Sequence, residues 1–151
     1  METEFKITRR LRELFSQYFE NYSLEQLNTI PDGFNNNLVW NIGHVIVSQQ
    51  SLVYKGSGVP APVDEALFAL YARGTKPERD NTQAEANELK RLLFSLTEKT
   101  EEDYNNGIFK TYYARTSEMG FALDSVEDAI AFNNHHESMH LGIMMQMRKF
   151  I

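Results

Sequence analysis

The chain has no cysteine among its 151 residues. This absence excludes disulfides, a cysteine nucleophile and thiolate metal ligands, so any bound metal must be held by nitrogen and oxygen donors. No segment approaches the roughly 20 consecutive apolar residues of a membrane span. The first residues, METEFKITRRLRELF, also lack the apolar run of a secretion signal. We therefore expect a cytoplasmic protein.

Basic residues are in the minority, with 15 Lys and Arg against 21 Asp and Glu and a net charge of −6. An acidic chain without a basic stripe is a poor partner for nucleic acid or an anionic membrane surface. The one basic cluster, Arg9, Arg10 and Arg12, is interpreted as a solvated helix face. We expect neither a nucleic-acid partner nor a membrane partner.

Proline is scarce, and three of the four prolines lie in one stretch, residues 56–81. Elsewhere the apolar residues recur at helical spacing. This periodicity predicts four long helices, over about residues 3–21, 35–54, 82–105 and 124 nearly to the C-terminus. Shorter helices are predicted at residues 23–27 and 64–73.

Two capping boxes mark the starts of the last two long helices, at Thr82–Glu85 and at Asp124–Glu127. Long connectors, residues 56–81 and 108–123, follow the second and third long helices. The alternation in the second connector is too short and irregular to predict a sheet. We therefore expect an all-α fold, a four-helix bundle with two long connectors, in which residues 1–151 form one domain.

Three of the four histidines are placed where two helices could jointly hold one metal ion. His136 and His140 are four residues apart, a spacing that puts both side chains on one face of a helix. On a helical wheel this face also carries apolar side chains and is predicted to face the core, together with Ala129, Phe132, Ile143 and Met147. His44 lies on the second long helix, on a face that also looks inward.

Buried polar groups cost about 1–3 kcal/mol each unless they are satisfied. A metal shared by His44, His136 and His140 would satisfy all three rings, whereas the alternative is that each ring hydrogen-bonds to a carbonyl or to an asparagine. The spacing favours the metal. Asn133 is expected to orient one ligand through a hydrogen bond, and His135 is expected to be exposed or to lie behind the ligands.

The string His136–Glu137–Ser138–Met139–His140 also matches HExxH, the zinc-metalloprotease pattern in which the glutamate is the general base. No third ligand follows it, and no strand-lined cleft for a peptide is predicted. We therefore do not favour a peptidase. Glu137 is expected on the flank of the metal face, either solvated or paired with another helix.

The chain resembles the DinB-like superfamily of metal-binding four-helix proteins, which is distinct from the DNA polymerase of that name. The resemblance covers nearly the whole chain. It is carried by three segments: NNLVWNIGH at residues 36–44, HESMHLG at residues 136–142 and GTKP at residues 74–77. Carried over to this sequence, the metal triad of the family falls on His44, His136 and His140. The resemblance also implies a homodimer.

Characterised relatives in this superfamily include metal-dependent thiol transferases, isomerases and hydrolases. We therefore expect one divalent metal per chain, with zinc or nickel first and iron or manganese as alternatives. The expected function is an enzyme that activates water or a low-molecular-weight thiol, with a small molecule as substrate. No catalytic residue is firmly assigned, and Glu137, Asn37 and Tyr71 are candidates. The alternative is a non-catalytic, metal-stabilised dimeric binding or stress protein.

Overall fold

The computed structural model describes residues 1–151 and is mostly helical, with one very small sheet. The helical class predicted from the sequence is confirmed. Six α-helices and two short strands follow one another in this order: α1 Glu2–Asn21, α2 Leu24–Asn28, α3 Leu38–Val53, α4 Glu65–Tyr71, α5 Gln83–Asn105, β1 Arg115–Thr116, β2 Ala122–Leu123 and α6 Val126–Met147. Single 3-10 turns follow α3 and α6, at Lys55–Ser57 and Arg148–Phe150.

The helix starts are set by side-chain caps. The Thr82 hydroxyl accepts from the Glu85 amide while the Glu85 carboxylate accepts from the Thr82 amide, so the predicted capping box is confirmed. The box predicted at Asp124–Glu127 is wrong by one residue, because Ser125 is the N-cap and its hydroxyl accepts from the Asp128 amide. Asn37 caps α3 through the Trp40 amide, and α3 therefore begins at Leu38.

Helix α3 lies at the centre of the packing. It contacts α2, α4, α5 and α6, and α1 packs against α5 and α6. No residue of helix α3 is fully exposed, and its aliphatic side chains are buried, as at Ile42 and Ile46. Asn41, His44 and Ser48, spaced three and four residues apart, form a polar stripe on one face. A helix buried on all sides can place a polar side chain only in the core or in a cavity.

Helix α6 buries only part of the face that the helical wheel predicts, because Ala129 and Met147 are buried as predicted but two other positions are not. Ile143 is 40% exposed, and Phe132 is half-buried. The buried positions as a whole are centred roughly 80° from His136, a little less than one residue around the helix. These positions carry several polar side chains and are Val126, Ala129, Ile130, Asn133, Asn134, Glu137, Met144 and Met147.

The second connector contains a hairpin that the sequence analysis did not predict. Strands β1 and β2 pair antiparallel, with Arg115 opposite Leu123 and Thr116 opposite Ala122. Directly opposed residues project from the same face of a sheet. Leu123 is buried, and Arg115 leaves the hairpin on the same face but remains exposed.

The solvated face predicted for the arginine cluster on α1 is only partly correct. Arg10 is exposed, whereas Arg12 is completely buried. No helix in the structure is long and apolar enough to cross a membrane.

Candidate metal centre

The structure brings together the three histidines that the sequence singles out. The ring centroids of His44 and His140 are 4.8 Å apart, those of His44 and His136 are 5.2 Å apart, and those of His136 and His140 are 4.6 Å apart. One nitrogen from each ring lies within 4.8 Å of the other two. Helix α3 supplies one ring, and successive turns of α6 supply the other two.

The His44 ring is held by the backbone of α4 and by its own helix. Its Nδ1–H donates to the Tyr71 carbonyl at 2.8 Å, and this bond fixes the tautomer because a carbonyl can only accept. The Nε2 lone pair accepts from the Ser48 hydroxyl at 3.3 Å, a long hydrogen bond that a metal ion would replace. The indole of Trp40 stacks on the ring at 4.8 Å with an interplanar angle of 8°.

The His140 ring is oriented across the helix pair by Asn41. The amide nitrogen of Asn41 is already a donor, to the Asn37 carbonyl at 2.8 Å and to Asn36 Oδ1 at 2.9 Å. The side-chain oxygen of Asn41 therefore accepts from His140 Nδ1–H at 2.8 Å, and His140 Nε2 carries the lone pair. Asn41 is completely buried, so this orientation is fixed by the core.

The His136 ring indicates whether a metal fits this site. His136 Nδ1 is buried and has no hydrogen-bond partner, an arrangement that is costly without a ligand. Hydrogen bonds that fix the tautomer of a ligating imidazole are typical of metal sites, and both His44 and His140 have one. Three nitrogen donors without a carboxylate or thiolate suit the transition metals. The residues present therefore fit a divalent ion.

All three imidazoles are neutral near pH 7, as metal ligation requires. Burial is the largest cause in each case. It lowers the pKa of His44 and outweighs the hydrogen bond to the Tyr71 carbonyl, which acts to raise this pKa, while the Arg73 charge also lowers it. Burial and the neighbouring His44 lower the pKa of His136 to about 4, and burial and the neighbouring His136 lower the pKa of His140 to about 3.

A pocket of about 570 Å³ lies against the three histidines. Its lining combines the α3 face of Trp40 and Ser48 with Phe132 and Met139 of α6 and with residues of both connectors. A larger cavity of about 810 Å³ shares Trp40 and Gly74 with this pocket but touches none of the histidines. We place the site at the smaller pocket, because only there do ligand-type side chains converge.

Glu137 does not lie in this pocket. The expectation that it is solvated is wrong, whereas the alternative of an interhelical partner is confirmed. Its carboxylate is completely buried and accepts from Arg12 Nη2 at 2.5 Å, and from Asn133 Nδ2 at 2.6 Å. Arg12 also reaches Gln49 Oε1 at 3.2 Å. A carboxylate committed to a buried guanidinium is poorly placed as a general base at the pocket.

The remaining candidates have mainly structural contacts. Asn37 caps α3, and its amide nitrogen donates to the Asn28 carbonyl at 2.9 Å. Tyr71 holds His44 through its backbone carbonyl, while its hydroxyl is an acceptor for the Asn81 amide. Asn133 hydrogen-bonds to Glu137 and not to a histidine, so it does not have the orienting role expected of it. Asn41 has that role, and the sequence analysis missed it.

The chain belongs to the DinB superfamily, whose family profile matches residues 7–144. Among solved structures, it is similar to a conserved protein from Enterococcus faecalis, with a TM-score of 0.67 and 11% identity. The alignment covers 99% of this chain and 95% of that one. At this identity the likeness shows the fold alone. A search of curated proteins finds no match.

Proposed function

We propose that this protein is a divalent-metal-dependent enzyme with a four-helix bundle of the DinB-like type. The ligands would be His44, His136 and His140, and the reaction would activate water or a low-molecular-weight thiol for hydrolysis or thiol S-transfer. Zinc or nickel is proposed first, with iron or manganese as alternatives. A small molecule is the proposed substrate, and a homodimer is the proposed assembly.

The observation that carries the proposal is that the triad borders an open pocket. A structural site closes its coordination with protein ligands, whereas a catalytic site keeps three protein ligands and an open position. No fourth His, Cys, Asp or Glu joins the group of three. When bound, a divalent metal supplies Lewis-acid chemistry, which favours deprotonation of a coordinated water or thiol near neutral pH.

The residues of this chain prepare the site in two ways. The Tyr71 carbonyl and Asn41 fix two rings in the tautomer in which Nε2 carries the lone pair. Trp40 stacks on His44 and limits the rotation of its ring. Since the chain has no cysteine, a thiol-transfer reaction must take its sulfur nucleophile from a cosubstrate.

The test is cobalt substitution followed by addition of a thiol. Cobalt-loaded protein is titrated with 2-mercaptoethanol while the absorption spectrum is recorded, beside a His140→Ala variant as control. We expect thiolate-to-cobalt charge-transfer bands that saturate with thiol and are absent from the variant. If cobalt binds but its spectrum changes neither when thiol is added nor when coordinated water is exchanged, the coordination site is not open. That outcome would favour the non-catalytic, metal-stabilised alternative.

A further inference from the structure

Two arginines line the pocket that contains the histidine triad. Arg73 comes from the connector between α4 and α5, and Arg115 comes from strand β1. Glu118 is the only acidic side chain in the lining. The charged side chains therefore sum to a positive charge before any metal is counted, although the whole chain carries a net charge of −6.

Arg115 forms no ion pair with a carboxylate. Its guanidinium lies beside the Tyr112 hydroxyl and acts to lower the pKa of that hydroxyl, but this neutral partner leaves the charge uncompensated. Arg115 lies opposite Leu123 in the hairpin, and both residues line the pocket. An arginine turned towards a cavity and left without an anion is in the position of a ligand-binding group, because its planar guanidinium matches carboxylate and phosphate oxygens in pairs.

Arg73 is paired differently. Its guanidinium forms an ion pair with Glu118, so that the two connectors are joined beside the pocket. Both side chains are more than half exposed, at 69% and 66%. An exposed pair of this kind contributes about 1 kcal/mol or less and is readily exchanged for another anion.

The rest of the lining is largely apolar where the hairpin meets α6. Leu123 and Met119 of the second connector lie with Phe132 and Met139 of α6. This pocket therefore offers a positive part and an apolar part within about 570 Å³, a size that suits a small molecule.

We propose that the substrate of this site is a small organic anion with an apolar body, whose carboxylate or phosphate group is bound by Arg115 and Arg73. This inference rests on the proposed function and adds the chemical class of its substrate. In binding, the anion takes the place of Glu118 beside Arg73. Arg115 and Arg73 are binding residues and take no part in the chemical step.

The test uses Trp40, the one tryptophan of the chain, which lines the pocket. Its fluorescence is followed while hexanoate, hexyl phosphate or hexanol is added to metal-free and to zinc-loaded protein. We expect both anions to bind more tightly than hexanol in both preparations. The stronger of the two anions identifies whether the carboxylate or the phosphate is preferred.

Variants separate the anion contact from a loss of folding. Arg115→Gln and Arg73→Gln should each weaken binding of the preferred anion about three- to fivefold, as expected for partly exposed charge pairs, while the affinity for hexanol stays unchanged. Glu118→Gln should strengthen anion binding, because it removes the internal competitor. Arg10→Gln, at an exposed arginine paired with Glu13 on α1, is the matched control and should change nothing.

Two results would overturn the proposal: anions that bind no better than hexanol, or an anion preference that persists in both arginine variants. Neither of these results depends on the metal, because the titration of metal-free protein measures the anion preference by itself. Failure to bind zinc, together with an intact anion preference, would support the anion site and contradict the proposed function alone. A normal cobalt–thiol response without an anion preference would support the proposed function and contradict the anion site alone.

Discussion

At the scale of single residues, the site depends on atoms that do not face the pocket. Asn41 accepts from His140, and the Tyr71 carbonyl accepts from His44. Each bond keeps one ring nitrogen protonated as a donor, so the other ring nitrogen carries the lone pair. Partners of this kind influence metal affinity without touching the metal.

Replacing Asn41 with alanine should therefore weaken metal binding by about 10- to 100-fold. The reason is that His140 loses the acceptor that fixes both its tautomer and its rotation. Competition for zinc with a chromophoric chelator measures the change. Asn36→Ala is the control, since it removes a hydrogen bond to the other end of the same Asn41 amide. Equal affinities in both variants and in the wild type would refute the role of Asn41.

The buried pair of Arg12 and Glu137 gives a second prediction at this scale. Both side chains are completely buried, so Arg12→Met leaves an unpaired carboxylate in the core and should cost about 3–5 kcal/mol in the free energy of unfolding. The double variant Arg12→Met with Glu137→Leu should recover most of this loss. Urea denaturation measures both.

The matched control for this prediction is Arg9→Met. Arg9 is also on α1 and also pairs with a glutamate, Glu101, but both side chains are partly exposed. It should cost less than about 1 kcal/mol. If Arg12→Met were as mild as Arg9→Met, the pair would not be the buried ion pair that the structure describes.

At the scale of helices, the contact between α3 and α4 positions His44. Gly43 allows this contact, because a Cβ built there would lie 2.4 Å from the Tyr71 ring. The same tyrosine supplies the carbonyl that accepts from His44. Close approach of α4 and orientation of the His44 ring are therefore parts of one contact.

Gly43→Ala should destabilise the protein by about 1–3 kcal/mol, because the ring must move away, and should also weaken metal binding. Gly142→Ala is the opposite case. Gly142 is on α6, and a Cβ there meets nothing within 4 Å. It should stabilise the protein by up to about 1 kcal/mol through helix propensity. Thermal unfolding of the two variants gives the comparison, and a stabilising Gly43→Ala would contradict the close contact.

Several elements were predictable from the sequence because their signals are local. The periodicity of α1 and the capping box of α5 lie in neighbouring residues, and so does the spacing of His136 and His140. The hairpin was missed because two-residue strands carry too little alternation to detect. Their pairing depends on packing beside α6 and not on the residues of the connector alone.

The face of α6 was predicted only in part, for a different reason. A helical wheel assumes that the apolar side chains define the core, but α6 buries Asn133, Asn134 and Glu137. Their partners come from α1, far away in the chain, as with Arg12 and Glu137, or Thr8 and Asn134. Only the three-dimensional structure brings such partners together. The same holds for Asn41, which contacts a residue 99 positions away.

At the scale of the whole molecule, one carboxylate links stability to pH. Asp103 of α5 accepts from the Tyr54 hydroxyl at 2.7 Å, beyond the end of α3, and from Lys99 at 2.5 Å. Burial acts to raise the pKa of Asp103, but the hydrogen bonds from Lys99 and Tyr54 together outweigh it and lower this pKa. The unfolded chain therefore takes up this proton first as the pH falls.

It follows that the stability contributed by Asp103 is present above about pH 3.9, the ordinary pKa of an aspartate, and is lost as the pH falls through the folded-state pKa. Asp103→Asn should be about 1–2 kcal/mol less stable than the wild type at pH 7. This difference should shrink as the pH falls below the ordinary aspartate pKa and through the lowered folded-state pKa. Urea denaturation of both proteins across this range tests it, and a constant difference would contradict the assignment.

The central claim is that His44, His136 and His140 together bind one divalent metal. The most direct measurement is elemental analysis of tag-free protein beside the variant in which all three histidines are alanine, after dialysis of both against zinc, nickel and manganese. We predict about one metal ion per wild-type chain and none in the variant. Metal retained by the variant would place the site elsewhere. No metal in either protein would mean that the three rings are only hydrogen-bonded core residues.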